Sequence, residues 1–264
     1  MILVIFAEQF SNPDKHENMK FLVCVSKVPD TTTKINFTDN NTKFDTNGVQ
    51  WIVNPTDEWY ALVKAIELKE QLGGTVTVIN VGRAENDQII RKALAIGADD
   101  AVRVDADESE GNYVAAQIAE YAKDKAYDII FTGPATISFN GSLVGGVVAE
   151  LLDLPYISYA NSLEVDGDAA KVKRDIEGGV ESSKVKMPVV VSCDKGMAEQ
   201  RIPNMRGIMA ARSKPLTVVA AAAVESKVNV KQFAPPEPKQ PVKFIEPDNV
   251  DQLVELLRNE AKVL

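Results

Sequence analysis

The sequence predicts an α/β fold: a doubly wound, mostly parallel sheet with an antiparallel addition and an extended C-terminal arm plus helix. Three observations predict it. Short β-branched apolar runs without polar alternation recur along the chain, as strands covered on both faces do. Segments with apolar residues at i, i+3, i+4 and i+7 spacing lie between those runs, which is the βαβ order of a parallel sheet. The late stretch "FAPPEPKQPVKFIEP" is too rich in proline for helix or central strand and reads as an arm laid over the surface.

Taken in order, "KFLVCV" (20–25) is a buried first strand that ends in the loop "SKVPD". After "NPTDE", Trp59, Leu62, Val63, Ile66 and Leu72 mark a helix with Thr56 or Asp57 as its cap. "TVTVINV" (75–81) is a second strand closed by Gly82, and Ile89, Ile90, Ala93 and Leu94 give a helix stopped by Gly97. "AVRV" (101–104) and "DIIFTG" (128–133) are strands separated by a helix through Val114, Ile118, Ala119 and Tyr121. A fourth helix spans Leu143 to Leu152, and "MPVVVSC" (187–193) is a further strand. Between them Asp166-Gly167-Asp168 signals a hairpin, with "VESSKVKM" as a third antiparallel piece. The closing "DNVDQLVELLRNEAKVL" reads as an amphipathic helix capped at Asp248, with Val250, Leu253, Val254 and Leu257 on one face. That face either meets a partner or packs on the protein's own core. Three segments result: an extension over 1–18, an α/β domain over 19–220, and the arm with its helix over 221–264.

Composition excludes several classes of function. With 38 Asp+Glu against 29 Lys+Arg, a net charge of −9 argues against general nucleic-acid binding, which needs a broad basic face. No run approaches the roughly 18 to 20 apolar residues of a membrane span, so no membrane insertion is expected. "MILVIFA" lacks the basic start and cleavage pattern of a signal peptide, and Cys24 and Cys193 both sit in apolar runs. The expectation is a reduced, cytoplasmic protein. The single histidine, His16, lies in a polar stretch, and CxxC, P-loop and GxGxxG patterns are absent. Acid–base, nucleophilic and imidazole–metal chemistry therefore have few residues to work with, and neither a catalytic residue nor a metal ligand is predicted.

In an open parallel sheet, ligands bind beyond the carboxyl ends of the strands where the strand order reverses. Three loops qualify: "SKVPD", "NVGRA" and "GPATISFNGSLVGG". The last offers Ser138, Asn140, Gly141 and Ser142 before entering a helix, which suits a phosphate cradle. The same residues also suit an ordinary helix start with Gly145-Gly146 packed on the sheet. Gly178-Gly179 reads equally as a tight turn or as a place where another subunit comes close. One basic segment stands out: "QRIPNMRGIMAARSKP" (200–215) carries Arg201, Arg206, Arg212 and Lys214 with no acid.

The stretch "VKRDIEGGVESSKVKMPVVVSC" (172–193), with "VNPTDEWYALVKAIELKE" (53–70) and "IIRKALAIGADDAVRV" (89–104), resembles the β subunit of electron transfer flavoprotein. The likeness runs from Met19 to the C-terminus, which makes residues 1–18 read as an upstream start rather than a working element. The resemblance implies a Rossmann-like domain in a heterodimer whose α subunit holds most of an FAD, with AMP in the β crevice. It implies that Cys24 lies beside the nucleotide, that Asn54 contacts the adenosine part, and that Val78, Ile79, Asn80 and Val81 wall it. The stretch from Gly133, Pro134 and Ala135 through Asn140, Gly141, Ser142, Leu143 and Val144 would cradle its phosphate. That loop departs from the family pattern: "SFNGSLVG" stands where acids and a Gln-Thr or Gln-Val pair are usual.

The resemblance also makes 200–215 a recognition loop for acyl-CoA dehydrogenases and related flavoproteins. The family's anchoring leucine is placed here at Met205, with Ile202, Ile208 and Met209 around it and Arg201, Arg206 and Arg212 steering acidic partners. Fatty acid oxidation and a downstream quinone oxidoreductase follow from the same likeness. The expected role is electron carrier, redox-active only with the α partner, which needs no general base. Two other readings stay open: a bifurcating type with a second FAD in place of AMP, and a nucleotide-binding regulatory module.

Overall fold

The computed structural model describes residues 19–264, apart from 56–57, 109, 138 and 240. The expected caps Thr56 and Asp57, Ser138 and the extension 1–18 therefore lie outside the described residues. The frame is a nine-stranded sheet. Its parallel part contains β1 (Lys20–Cys24), β6 (Thr75–Val81), β7 (Asp100–Asp105), β8 (Ile129–Thr132), β12 (Val189–Cys193) and β13 (Leu216–Ala220). The long β9 (Tyr156–Asp166) runs parallel to β12 and antiparallel to β10 (Ala169–Ile176), which pairs antiparallel with β11 (Gly179–Lys186). The strand order is β11-β10-β9-β12-β8-β1-β6-β7-β13. A doubly wound sheet with an antiparallel addition is thus what the chain forms.

The helices cover both faces, as uninterrupted apolar strands require. On one face α1 (Glu58–Leu72) and α2 (Asp87–Ile96) bury Leu62, Ile66, Ile90 and Leu94 against Phe21, Val23, Val78 and Phe131. On the other, α3 (Gly111–Ala122) and α4 (Val144–Leu152) bury Ile118 and Val148 against Leu22, Ile79 and Ile130. The alternation of consecutive residues of β1 between these two cores is the two-residue period of a strand. Cys24 and Cys193 are both buried and no disulfide joins them.

Four short strands escaped the sequence reading. β2 (Lys27–Pro29) pairs with β5 (Trp51–Val53), and β3 (Phe37–Thr38) pairs with β4 (Lys43–Phe44), between β1 and α1. At two or three residues each, they are too short to show a period. The segment 200–215 also contains a helix, α5 (Met205–Ala211), where a loop was expected. Asn204 starts it by accepting from the Gly207 amide at 2.8 Å. At the C-terminus α6 (Val250–Asn259) follows Asn249, not Asp248, and the Asn249 side chain donates to Gln252 Oε1 at 2.8 Å instead of capping a backbone amide. Met187 and Pro188 precede β12 instead of opening it, and their peptide bond is cis.

Candidate functional site

The sheet reverses direction at β1. From β1 the chain builds outward through β6 and β7, then returns to place β8 on the opposite side. This is the topological switch point where open α/β sheets bind ligands. The carboxyl ends of β1, β6 and β8 open into it, so Cys24, the run Val78–Val81 and the loop from Gly133 converge there.

Asn54 closes one side. It is fully buried just after β5, and its Nδ2 donates to the Ala135 carbonyl at 2.9 Å, tying it to the loop after β8. Its Oδ1 is buried and has no hydrogen-bond partner among the described residues. A buried amide oxygen left so costs about 1–3 kcal/mol, which a bound donor would recover. Glu58, at the start of α1, closes the floor by accepting from Ser26 N at 2.6 Å and Ser26 Oγ at 2.7 Å. Burial, reinforced by the Glu58 carboxylate, pushes the Cys24 thiol far above its ordinary range. Such burial disfavours the thiolate at Cys24.

On the β6 side, Asn80 Nδ2 donates to the Val25 carbonyl at 2.9 Å, while Asn86 Nδ2 donates to Asn80 Oδ1 at 3.0 Å and to Glu108 Oε2 at 2.5 Å. Lys27, with its side chain 8% exposed, lies 3.4 Å from Glu108 and 4.6 Å from the centre of the Trp51 ring. Burial raises the Glu108 pKa, and the Asn86 and Lys27 contacts only partly offset it. Sequence reasoning missed Lys27, Trp51, Asn86 and Glu108. These polar residues are spread over distant loops, and no spacing announces them.

The loop after β8 turns tightly. Asn140 and Ser142 hold φ near +48° and +51°, and Asn140 N donates to the Thr136 carbonyl at 2.7 Å. Asn tolerates that left-handed conformation and Ser less readily. Leu143 precedes α4 without a side-chain cap among the described residues, so the first-turn amides meet no capping oxygen. Gly145 is required there: a Cβ would stand 2.6 Å from Thr132 Oγ1 and 3.0 Å from the Tyr156 ring. Gly145 thus packs on the sheet, while the amides ahead of it meet no side-chain cap among the described residues. Gly141, Ser142 and Asn140 are exposed, whereas Pro134 is buried.

Tyr159 was not foreseen. It takes φ +53° within β9, strained for a bulky residue, where the pairing with β12 shifts register. Its amide donates to Ser192 Oγ at 2.9 Å and its hydroxyl lies 3.2 Å from Ser142 Oγ, so β9 and the loop after β8 meet. Near this junction Arg174 donates to Ser158 Oγ at 2.8 Å and pairs with Glu181 at 3.0 Å. Ile176 and Val180 stand exposed on either side of the Gly178 turn.

The basic segment is a separate surface. Ile202 is 84% exposed, Met205 74% and Met209 67%, with Ile208 at 41%. Its cations divide unequally. Arg201 makes a two-pronged bond to Glu70 at 2.7 Å each, which lowers the Glu70 pKa. Lys214 Nζ donates to the carbonyls of Leu94 at 2.9 Å and Ala98 at 2.5 Å. Arg206 and Arg212 remain exposed. Among the described residues no cluster of potential metal ligands occurs, and no helix is long and apolar enough to cross a membrane.

Fold and topology define an α/β protein with a crevice at its switch point, and its likeness to known proteins makes the class specific. Residues 41–224 match the model of the electron transfer flavoprotein domain. The chain is similar to the electron transfer flavoprotein subunit beta of Bacillus subtilis, 36% identical over 93% of this chain and 100% of that one. The subunit beta of Syntrophomonas wolfei is also 36% identical, over 93% and 98%. That of Homo sapiens is 29% identical, over 93% and 99%. The chain belongs to the electron transfer flavoprotein family, on its β-subunit branch. It is a subunit of an electron carrier and not an enzyme of the usual kind.

Proposed function

We propose that this chain is the β half of a heterodimeric electron carrier, with AMP in the crevice at the β1/β8 switch and FAD held mainly by the α subunit. The buried Oδ1 of Asn54, without a partner among the described residues, carries the nucleotide reading. It is a spare acceptor tied through Ala135 to the loop after β8, and that loop leads into the first turn of α4, where no side-chain cap is made among the described residues. An acceptor for an amino or hydroxyl group and donors for a phosphate together match a nucleoside monophosphate. Asn54 would fix the adenosine end, and Val78, Ile79, Asn80, Val81 and Cys24 would wall it. The amides near Ser142, Leu143 and Val144 would take the phosphate.

The flavin supplies the single-electron chemistry, and the β chain's task is to hold its partner and present the docking surface. Ile202 and Met205, the two most exposed apolar side chains of 200–215, are the anchors for acyl-CoA dehydrogenase-type flavoproteins, Ile202 no less than Met205. Arg206 and Arg212 supply the steering charge. Electrons would then pass to a quinone oxidoreductase in fatty acid oxidation, in the cytoplasm. The test is nucleotide content: the chain is purified with its co-assembling subunit, denatured, and FAD and AMP are quantified by chromatography. One FAD and one AMP per heterodimer is the expected result. Two FAD without AMP would replace it with the bifurcating type, and a nucleotide-free β crevice would overturn the reading of Asn54.

A further inference from the structure

We infer that Arg91, Glu70 and Trp59, all outside the basic segment, are positioning residues that clamp it as a preformed docking element. The inference rests on the docking reading above. Each end of the segment is held by charge. At its leading end, Glu70 receives both prongs of Arg201, and Trp59 Nε1 donates to the Arg201 carbonyl at 3.1 Å. At its trailing end, Arg91 Nη1 donates to the carbonyls of Ala211 at 2.7 Å and Lys214 at 2.6 Å.

The trailing contact is reciprocal. Arg91 of α2 satisfies carbonyls at the end of α5, while Lys214 satisfies Leu94 and Ala98 at the end of α2. Each helix lends the other a cation where its terminal carbonyls lack intrahelical partners. The middle is seated by shape. Ala211 is buried, and a Cβ on Gly207 would stand 2.4 Å from the Ala95 carbonyl oxygen, so the two helices touch backbone to backbone.

Between these fixed points Ile202, Met205 and Met209 face solvent. A seven-residue helix is too short to be stable alone, so its order comes from the clamp. Holding exposed anchors in one arrangement before the encounter removes an ordering cost from binding, and that gain appears in affinity, not in steering. The assignment also divides the cations by task. Arg201 and Lys214 are engaged internally, whereas Arg206 and Arg212 carry the salt-dependent term.

The experiment uses the assembled heterodimer with Arg91→Ala and, because Glu70 is half exposed and its loss removes nothing from the core, Glu70→Ala as a second variant. Deuterium uptake by peptides over 200–215 and electron uptake from a substrate-charged acyl-CoA dehydrogenase are both measured. Loss of the Arg91 contacts should speed uptake at 205–214 by about tenfold and raise KM for the dehydrogenase by about tenfold. The kcat and the dependence of KM on ionic strength should not change. Glu70→Ala should act in the same direction near 200–204, more weakly. Unchanged uptake in both variants would overturn the clamp, and faster uptake with unchanged KM would overturn its role in docking. A paired control, Ile202→Asp with Met205→Asp, isolates the docking reading. If it leaves KM unaltered, the docking reading fails and the inference loses its function, while uptake still decides whether the clamp exists.

Discussion

Glu108 shows how much of the crevice rests on single side chains. Its carboxylate shares Asn86 with Asn80 and lies beside Lys27, so one residue links the loops after β1, β6 and β7. Burial raises its pKa from the ordinary 4.5, and folding therefore favours its protonated form. Such a group contributes fully below about pH 4.5, and its contribution is lost as pH rises through the higher folded value. Glu108→Gln, which keeps an acceptor for Asn86, should accordingly raise Tm by roughly 1–3 °C at pH 7.5 and change little at pH 4. The side chain is one-third exposed, and solvent screening keeps the effect at that modest size. An equal change at both pH values would show that charge is not the cause. At this scale the sequence was partly legible. Asn54, Cys24 and the Val78–Val81 run were named through the family resemblance, and the fold sets them around the switch point. Glu108 and Lys27 could not be placed, because their meeting depends on loop paths that no local pattern encodes.

At the scale of elements, period and punctuation located the long strands and helices, because a buried face imposes its spacing on the sequence. The failures share one cause: tertiary contact overrode local preference. Gly207 argues against helix, since Gly costs about 1 kcal/mol relative to Ala in a helix interior. Yet α5 forms, and its seat on α2 requires that glycine. The two effects oppose each other in Gly207→Ala. Propensity would gain about 1 kcal/mol, while a Cβ 2.4 Å from the Ala95 carbonyl oxygen forces backbone apart at about 1–3 kcal/mol or more. The clash should win, giving a net loss by urea denaturation and faster deuterium uptake over 205–211. A net gain in stability would mean that α5 shifts on α2 without penalty. The left-handed Tyr159 has the same origin, since its conformation follows from the register shift between β9 and β12 and from nothing in "YISYAN".

The whole molecule ends in a part that its own core does not cover. The segment after β13 is tied where Gln117 exchanges two hydrogen bonds with Ala222, at 3.0 and 2.8 Å. A second tie is made where Phe233 stacks on Phe37 at 5.0 Å and its amide donates to the Asn41 carbonyl at 2.7 Å. Beyond Phe233 no residue of α6 is buried, Phe244 is 92% exposed, and Val250 and Leu253 remain in solvent. The sequence left this helix poised between a partner and its own core, and its exposure favours the partner. Burying side chains of that size is worth about 1.5–3 kcal/mol each. Covering even two or three of them in the heterodimer gives several kcal/mol, since the Phe37 and Gln117 ties already aim the arm and lower the cost of ordering it. Ending the chain after Phe233 should therefore leave the Tm of the isolated β chain nearly unchanged, because nothing of the core is removed. Association with the α subunit should weaken by at least about a hundredfold in sedimentation equilibrium. A dimer of unaltered affinity would sink the assignment and require the apolar face of α6 to meet something other than the α subunit.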